Sequence, residues 1–181
     1  MRSITEDILQ WSEKYLEPKN KHLGDVPVCP YAKQARQRQT LRVLECHNFS
    51  EFQDKIIEGA RLTKDPAVQI TIVGCDDIGY TPEELDSVID MLNRVMVPND
   101  IYLMGSHPDD DDEEEPVEFL DTGEWRPDNE FMMVLIQKFD ELEKASDNLR
   151  KTGYYDKWPK DYYEGTVLKR QSYRRYRNGR T

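Results

Sequence analysis

The residue whose surroundings first suggest chemistry is Cys29, in the stretch Cys-Pro-Tyr-Ala-Lys at residues 29–33. A helix that begins at Pro30 would make Cys29 its N-cap, because proline suits the first helical position. The free N–H groups and positive end of such a helix stabilise a thiolate, and Lys33 adds positive charge nearby. Cys29 is therefore a candidate nucleophile or metal ligand, and equally a buried cysteine that anchors the turn.

Further polar and sulfur side chains stand where strands are expected to end. Residues 39–47, 67–75 and 101–106 have the alternating or β-branched apolar patterns of strands. Ligands of parallel sheets bind beyond the carboxyl ends of the strands, which share one edge. The side chains at or just after these ends are Cys46, His47, Cys75, His107 and Asp109.

Each of these side chains also has a purely structural interpretation. Cys46 alternates with Leu44, which favours a place in the core. His47 suits either a ligand or a cap for the following helix, and Cys75 suits either a site or a tight turn. His107 is the strongest functional candidate, because the neighbouring carboxylates would raise its pKa and favour the protonated form.

A metal site is an alternative interpretation of the same residues. Cys29, Cys75, His107 and Asp109 could together supply soft and hard ligands for zinc or iron. No pair among them has a diagnostic spacing such as Cys-x-x-Cys or His-Glu-x-x-His, and no glycine-rich phosphate loop is present. The sequence therefore names no cofactor.

The elements that must position these residues follow an alternating order. An amphipathic helix with Thr5 as a plausible N-cap comes first, and a β-α-β-α-β-β-α series follows it. This order predicts an α/β fold with a small mixed sheet, a parallel three-strand unit and helices packed on it. The fourth strand, 130–139, follows a loop without a crossover helix, so we expect it to pair antiparallel or to lie at an edge.

The 181-residue chain has a net charge of −11, and the uneven distribution of its charge indicates a domain followed by a basic tail. We predict one α/β domain over residues 1–153, with an acidic loop at 108–128 that carries seven consecutive acids. Residues 154–181 form a Tyr/Arg-rich basic tail, and six Lys or Arg lie within 167–181. The tail could interact with nucleic acid, but a basic end folded back on an acidic body is the favoured interpretation, and the net charge disfavours other nucleic-acid binding.

The location expected from the sequence is the cytoplasm. The N-terminal segment is acidic and amphipathic, unlike a secretion signal, and the three cysteines, an odd number, suit free thiols in a reducing compartment. No apolar run approaches the ~20 residues that span a bilayer, so we expect no membrane partner.

The chain resembles an uncharacterised bacterial family, the domain of unknown function 1415, in three short sequence motifs that occur in the same order. They are Cys-Pro-Tyr-Ala-Lys at 29–33, His-Pro-Asp at 107–109 and Arg-Pro at 126–127, and Trp11 precedes them in a helix. The resemblance covers about residues 8–150.

This resemblance implies that Cys29, His107 and Arg126 are the positions of interest, with Lys33 and Asp109 second. It brings no established reaction. The family has His-Pro at the end of the second strand, where this chain has Gly74-Cys75, and a Tyr-Gln-Phe-type segment where this chain has its acidic run.

These observations support three hypotheses about function. The first is a pocket at the strand ends that binds a small molecule, in which Cys29 is a nucleophile or redox group, His107 an acid or base, and Arg126 the contact for an anionic substrate group. Lys33, His47, Cys75 and Asp109 would add ligand contacts. The second is a non-catalytic adaptor that uses the acidic loop and basic tail, and the third is a Cys/His metalloprotein. Whether the protein is an enzyme and how it oligomerises stay open.

Overall fold

A computed structural model describes residues 2–110 and 130–178 of the chain. Its strands are β1 (Lys19–Asn20), β2 (Val26–Pro27), β3 (Leu41–Cys46), β4 (Ile70–Cys75), β5 (Ile101–Ser106) and β6 (Met132–Lys138). Its α-helices are α1 (Ile4–Trp11), α2 (Ala32–Gln37), α3 (Phe52–Thr63), α4 (Pro82–Met96), α5 (Phe139–Lys151), α6 (Lys160–Tyr163), α7 (Lys169–Ser172) and α8 (Arg174–Asn178). The predicted α/β class is confirmed.

The main sheet has four strands in the order β3-β4-β6-β5. β3 and β4 are parallel, whereas β6 pairs antiparallel with both β4 and β5. The predicted antiparallel pairing of the fourth strand is confirmed, but the parallel three-strand unit is wrong, because β6 inserts between β4 and β5. β6 occupies an inner position because it is apolar on both faces, with Val134, Leu135 and Ile136 all buried.

The two faces of the sheet are covered by different helices. On one face, Phe52 of α3 and Leu85 of α4 pack on alternate residues of the four strands. On the other face, Ile4 and Ile8 of α1 pack on Ile72. This three-layer arrangement leaves the strand ends, and the loops that follow them, as the region where polar side chains can meet.

Two helix starts differ from the expected positions. Ser3 is the N-cap of α1, in a capping box with Glu6, instead of Thr5. The helix after Cys29 begins at Ala32 and has Tyr31 as its N-cap, so Pro30 lies in the turn before it and Cys29 is not a helix N-cap.

The chain after α5 packs against the rest of the structure. Tyr154 and Val167 are buried, and Tyr173 packs against Tyr102 of β5. The π-helical segment Glu164–Leu168 lies between α6 and α7. Residues 154–178 therefore pack against the body of the structure.

Acidic residues of α5 hold the arginines of this returning segment. Arg170 Nε donates to Glu143 at 2.5 Å, and Arg174 Nε donates to the other oxygen of the same carboxylate at 2.6 Å. Arg177 pairs with Asp140 at 2.6 Å. A groove of about 490 Å³ lies between α5 and α8, and its lining includes the Arg174–Glu143 and Arg177–Asp140 pairs. Within the described ranges, no helix has the length and apolar character that crossing a membrane requires.

Candidate functional site

The carboxyl ends of β3, β4 and β5 lie at one edge of the sheet. Cys46 is in register with Cys75, and β6 runs against both β4 and β5, so β5 ends at the same edge. Three residues predicted to line this edge, His47, Cys75 and His107, are therefore placed there by the topology. Their functional roles stay predictions.

His47 is the exposed imidazole of this edge, and a carboxylate orients it. Its Nδ1 lies 2.9 Å from Asp76 Oδ2, and its Nε2 lies 3.4 Å from Glu45 Oε2. The hydrogen bond with Asp76 raises the pKa of His47 first, followed by the charges of Asp76 and Glu45. The side chain is 63% exposed, so this polar group faces solvent at the strand ends.

The loop after β4 is folded against the loop after β3. Asp77 accepts a hydrogen bond from the backbone N–H of Phe49 at 2.8 Å, and the Asp76 N–H donates to the Cys46 carbonyl at 3.2 Å. Tyr80 then packs its ring edge-on against Phe49, with 4.6 Å between centroids. These contacts fix the segment that carries Asp76 relative to His47.

His107 is buried, and backbone groups occupy both of its ring nitrogens. Nε2 lies 2.8 Å from the Tyr80 carbonyl, and Nδ1 accepts the Asp109 N–H at 3.0 Å. Nε2 must therefore carry the proton and donate it to Tyr80. The carboxylate of Asp109 is 79% exposed and lies 3.9 Å from Nδ1. This geometry joins the end of β5 to the β4–α4 loop and leaves neither ring nitrogen facing a ligand.

Cys29 lies in a different neighbourhood from His107. Its backbone N–H donates to the Leu16 carbonyl at 3.1 Å, and its own carbonyl accepts the Ala32 N–H at 3.2 Å. Burial raises the pKa of the thiol, and the backbone groups of Tyr31 and Ala32 lower it by less. A raised pKa keeps the thiol protonated at neutral pH, which opposes nucleophilic chemistry.

The partners of the two residues do not overlap. The charge of Glu17 also acts on the Cys29 thiol. Beside Cys29, the Tyr154 hydroxyl donates a hydrogen bond to the Pro27 carbonyl at 3.2 Å. The further polar partner of His107 is Asp110, which accepts its backbone N–H at 2.7 Å. The described contacts thus give no direct link between Cys29 and His107.

Two further predicted ligand contacts are Lys33 and Arg126. Lys33 lies away from the edge where the strands end, which we call the strand-end edge, and Arg126 lies outside the described residues. Lys33 is exposed on α2, and its charge acts on Glu17. Arg36, expected to add positive charge near Cys29, instead binds Glu17 through two hydrogen bonds of 2.7 and 2.9 Å. Arg126 and residues 111–128 of the acidic loop lie outside the described residues.

The thiols of Cys46 and Cys75 lie side by side beneath this edge. The Cys46 thiol donates to the Asn48 carbonyl at 3.1 Å, and the Cys75 thiol donates to the Asp77 carbonyl at 3.4 Å. Burial, and secondly the interaction with the neighbouring Cys46 thiol, raise the pKa of Cys75 to about 12.

The metal hypothesis finds no ligand cluster of the expected kind. Across residues 2–110 and 130–178, no three His, Cys, Asp or Glu side chains are grouped so that they could hold a metal ion. Cys29, Cys75, His107 and Asp109 therefore do not form a described ligand set.

Asp76, Glu45 and Tyr80 are the edge residues that sequence reasoning missed. Asp76 and Glu45 are each within two positions of a residue that was considered, so their place at the strand ends was the available signal. Tyr80 had no such signal, because its contact with His107 spans 27 residues of sequence.

Comparison with known proteins gives one partial family match. A family model described as Domain of unknown function (DUF6875) matches residues 5–72. The matched segment contains Cys29 and His47 and ends within β4. It supports similarity to an uncharacterised family, but not the specific resemblance to family 1415. No curated protein and no solved structure shows significant similarity to the chain.

Proposed function

We propose that the protein binds a small polar molecule at the strand-end edge, with His47 and Asp76 as its principal contacts. The observation that carries the proposal is the 2.9 Å hydrogen bond that holds an exposed imidazole against a carboxylate at this edge. Binding sites in α/β sheets concentrate at such edges, where loops from neighbouring strands meet.

The charges around His47 favour a ligand with a positively charged or hydrogen-bond-donating group. Glu45 at the end of β3 and Asp76 in the loop after β4 both contact the imidazole, and Asp77 follows Asp76 in that loop. The expected anionic ligand depended on Arg126, which lies outside the described residues. Carboxylates bind guanidinium and ammonium groups through charge-assisted hydrogen bonds, which supports the cationic class.

The thiol-dependent part of the original hypothesis has less support than the binding part. The pKa of Cys29 is raised by burial, and the contacts of Cys29 are with the N-terminal segment instead of the strand ends. We therefore place no reaction at Cys29. The specific resemblance to family 1415 also stays a proposal, and it supplies no reaction. Cys29, Cys46 and Cys75 are free thiols, which supports the cytoplasm as the proposed location.

The adaptor alternative is weakened by the internal partners of the basic tail. Arg170, Arg174 and Arg177 each bind a carboxylate of α5. A nucleic acid or an acidic protein would have to displace these pairs before using the same guanidinium groups. Capture of a partner by the tail is accordingly the second choice.

The test is a binding experiment that maps the site by backbone amide chemical shifts. The ¹⁵N-labelled protein is titrated with two cations, agmatine and spermidine, and with two anions, citrate and phosphate. We expect a cation to shift the amides of residues 46–49 and 75–80 in the wild type. Asp76→Asn should remove most of this response, because it deletes the charge while keeping the size of the side chain.

A matched control separates this site from general surface charge. Asp86 is an exposed aspartate on α4, so Asp86→Asn removes the same charge elsewhere. It should leave the titration unchanged. Shifts that map to the groove between α5 and α8, an equal loss in both variants, or a response to the anions alone would contradict the proposed site or its ligand class.

A further inference from the structure

Three sulfur side chains form a row across three adjacent strands. Cys46 of β3 is in register with Cys75 of β4, and Cys75 is in register with Met132 of β6. All three belong to the same core cluster, on the face of the sheet that α3 and α4 cover. Their exposures are 2%, 0% and 0%, so all three sulfur atoms lie in one buried layer at the end of the strands.

The geometry of the sheet brings these sulfur atoms within reach of one another. Neighbouring strands lie about 4.7–4.9 Å apart, and in-register residues on one face point the same way. Cys46 and Cys75 are such a pair, in register on adjacent strands and buried in the same core cluster. Met132 flanks Cys75 on the opposite side, and methionine has three rotatable bonds with which to direct its sulfur.

We propose that Cys46, Cys75 and Met132 form a binding site for a soft monovalent metal ion of the Cu(I) class. Thiolates and thioethers are the soft ligands that select Cu(I), and this layer offers them without a carboxylate. The three ligands differ from the Cys, His and Asp set considered for zinc or iron, because they include a thioether and exclude Cys29 and His107.

Binding would replace two S–H bonds with two metal–sulfur bonds. The ion enters as Cu⁺, the Cys46 and Cys75 thiols each release one proton to water, and the thioether of Met132 donates a lone pair without losing a proton. No electron is transferred. The protons that leave are the ones now donated to the Asn48 and Asp77 carbonyls, at the end of the layer nearest the loops. The single positive charge of the ion offsets one of the two thiolate charges, so the occupied site carries a net charge of −1.

The test uses the full chain, reduced and handled without oxygen. Cu(I) is titrated into the protein in competition with the chromogenic chelator bathocuproine disulfonate. We expect one Cu(I) per chain, with the affinity lost in Cys46→Ala and in Cys75→Ala. Met132→Leu removes one of the three proposed sulfur ligands, so it should lower the affinity by at least the about 10- to 100-fold that loss of a merely supporting group causes. Cys29→Ala is the matched control and should bind as the wild type does.

The design separates loss of the site from loss of the fold. Circular dichroism of each metal-free variant is recorded first. Met132→Leu is a swap of similar volume, so it should keep the fold even if a cysteine variant does not. An affinity unchanged in Met132→Leu, or one that falls in Cys29→Ala, would overturn the three-sulfur site. Failure of the copper site would leave the proposed ligand site at the strand ends untouched, because the amide titration that tests that site uses neither copper nor these variants.

Discussion

The buried carboxylate of Glu143 makes a sharp prediction about stability. It accepts hydrogen bonds from Arg170 at 2.5 Å and from Arg174 at 2.6 Å, and its side chain is only 9% exposed. The Arg170 side chain is 6% exposed, and its Nη2 has no hydrogen-bond partner within the described part of the chain. Among the described residues, Arg170 forms its ion pair with Glu143, so Glu143→Gln leaves a buried guanidinium without this balancing charge.

The size of the effect follows from what each partner loses. Removing one member of a buried ion pair costs about 3–5 kcal/mol, because the other charge stays desolvated. Glutamine keeps one oxygen that can accept from Arg170, so we expect the lower value, about 3 kcal/mol. For a chain of this length, each kcal/mol lowers the Tm by about 2–4 °C, which gives a decrease of about 6–12 °C.

Thermal and urea unfolding measure this loss, and Glu141→Gln is the control. Glu141 lies on the same helix but is 62% exposed and pairs with Lys138 at 3.5 Å, so its change should cost about 0–1 kcal/mol. Hydrogen exchange should also show faster exchange in residues 160–178 of Glu143→Gln. If both variants unfold within about 1 kcal/mol of each other, the reasoning about the buried pair is refuted.

Two further perturbations test the packing of α1 and the acid stability. Gly74→Ala should destabilise the protein by about 1–3 kcal/mol, because the new Cβ would overlap the Ile4 methyl group. Gly165→Ala, with nothing within 4 Å, should be neutral or stabilising by urea unfolding, and equal effects would contradict this. The hydrogen bonds of Arg36 lower the pKa of Glu17 in the folded state, so their stabilisation is present at neutral pH and lost as the pH falls through that lowered value. Arg36→Ala should reduce stability at about pH 7 and flatten its dependence down to about pH 3. An unchanged slope would contradict the role of the pair.

Local patterns predicted the elements of this fold well. Thr81 and Glu84 form a capping box at the start of α4, a motif that can be recognised in the sequence because it depends on residues three positions apart. The strand at residues 101–106 has the predicted bounds, because its apolar pattern is also local in the sequence. The order of the strands was not predictable, since the insertion of β6 depends on contacts between segments far apart in the chain.

The tail and the site show where sequence reasoning stops. The segment after α5 lacks a regular apolar period, and the structure shows several short helical pieces there, with a π-helical turn at Glu164–Leu168 between α6 and α7. His47 and His107 were placed at the correct edge, since the strands that precede them run in the same direction. Their partners Asp76 and Tyr80 became visible only with the loops folded.

The inner position of β6 has a consequence for the order in which the nascent chain can fold. When β4 and β5 leave the ribosome, each still lacks the neighbour that covers one of its edges, because β6 is the last strand of the sheet in sequence. The segment that matches the family model ends at Ile72, before either edge is covered. Unpaired strand edges promote pairing between chains, so the interval before Met132–Lys138 emerges is the period when this protein is most exposed to misassembly.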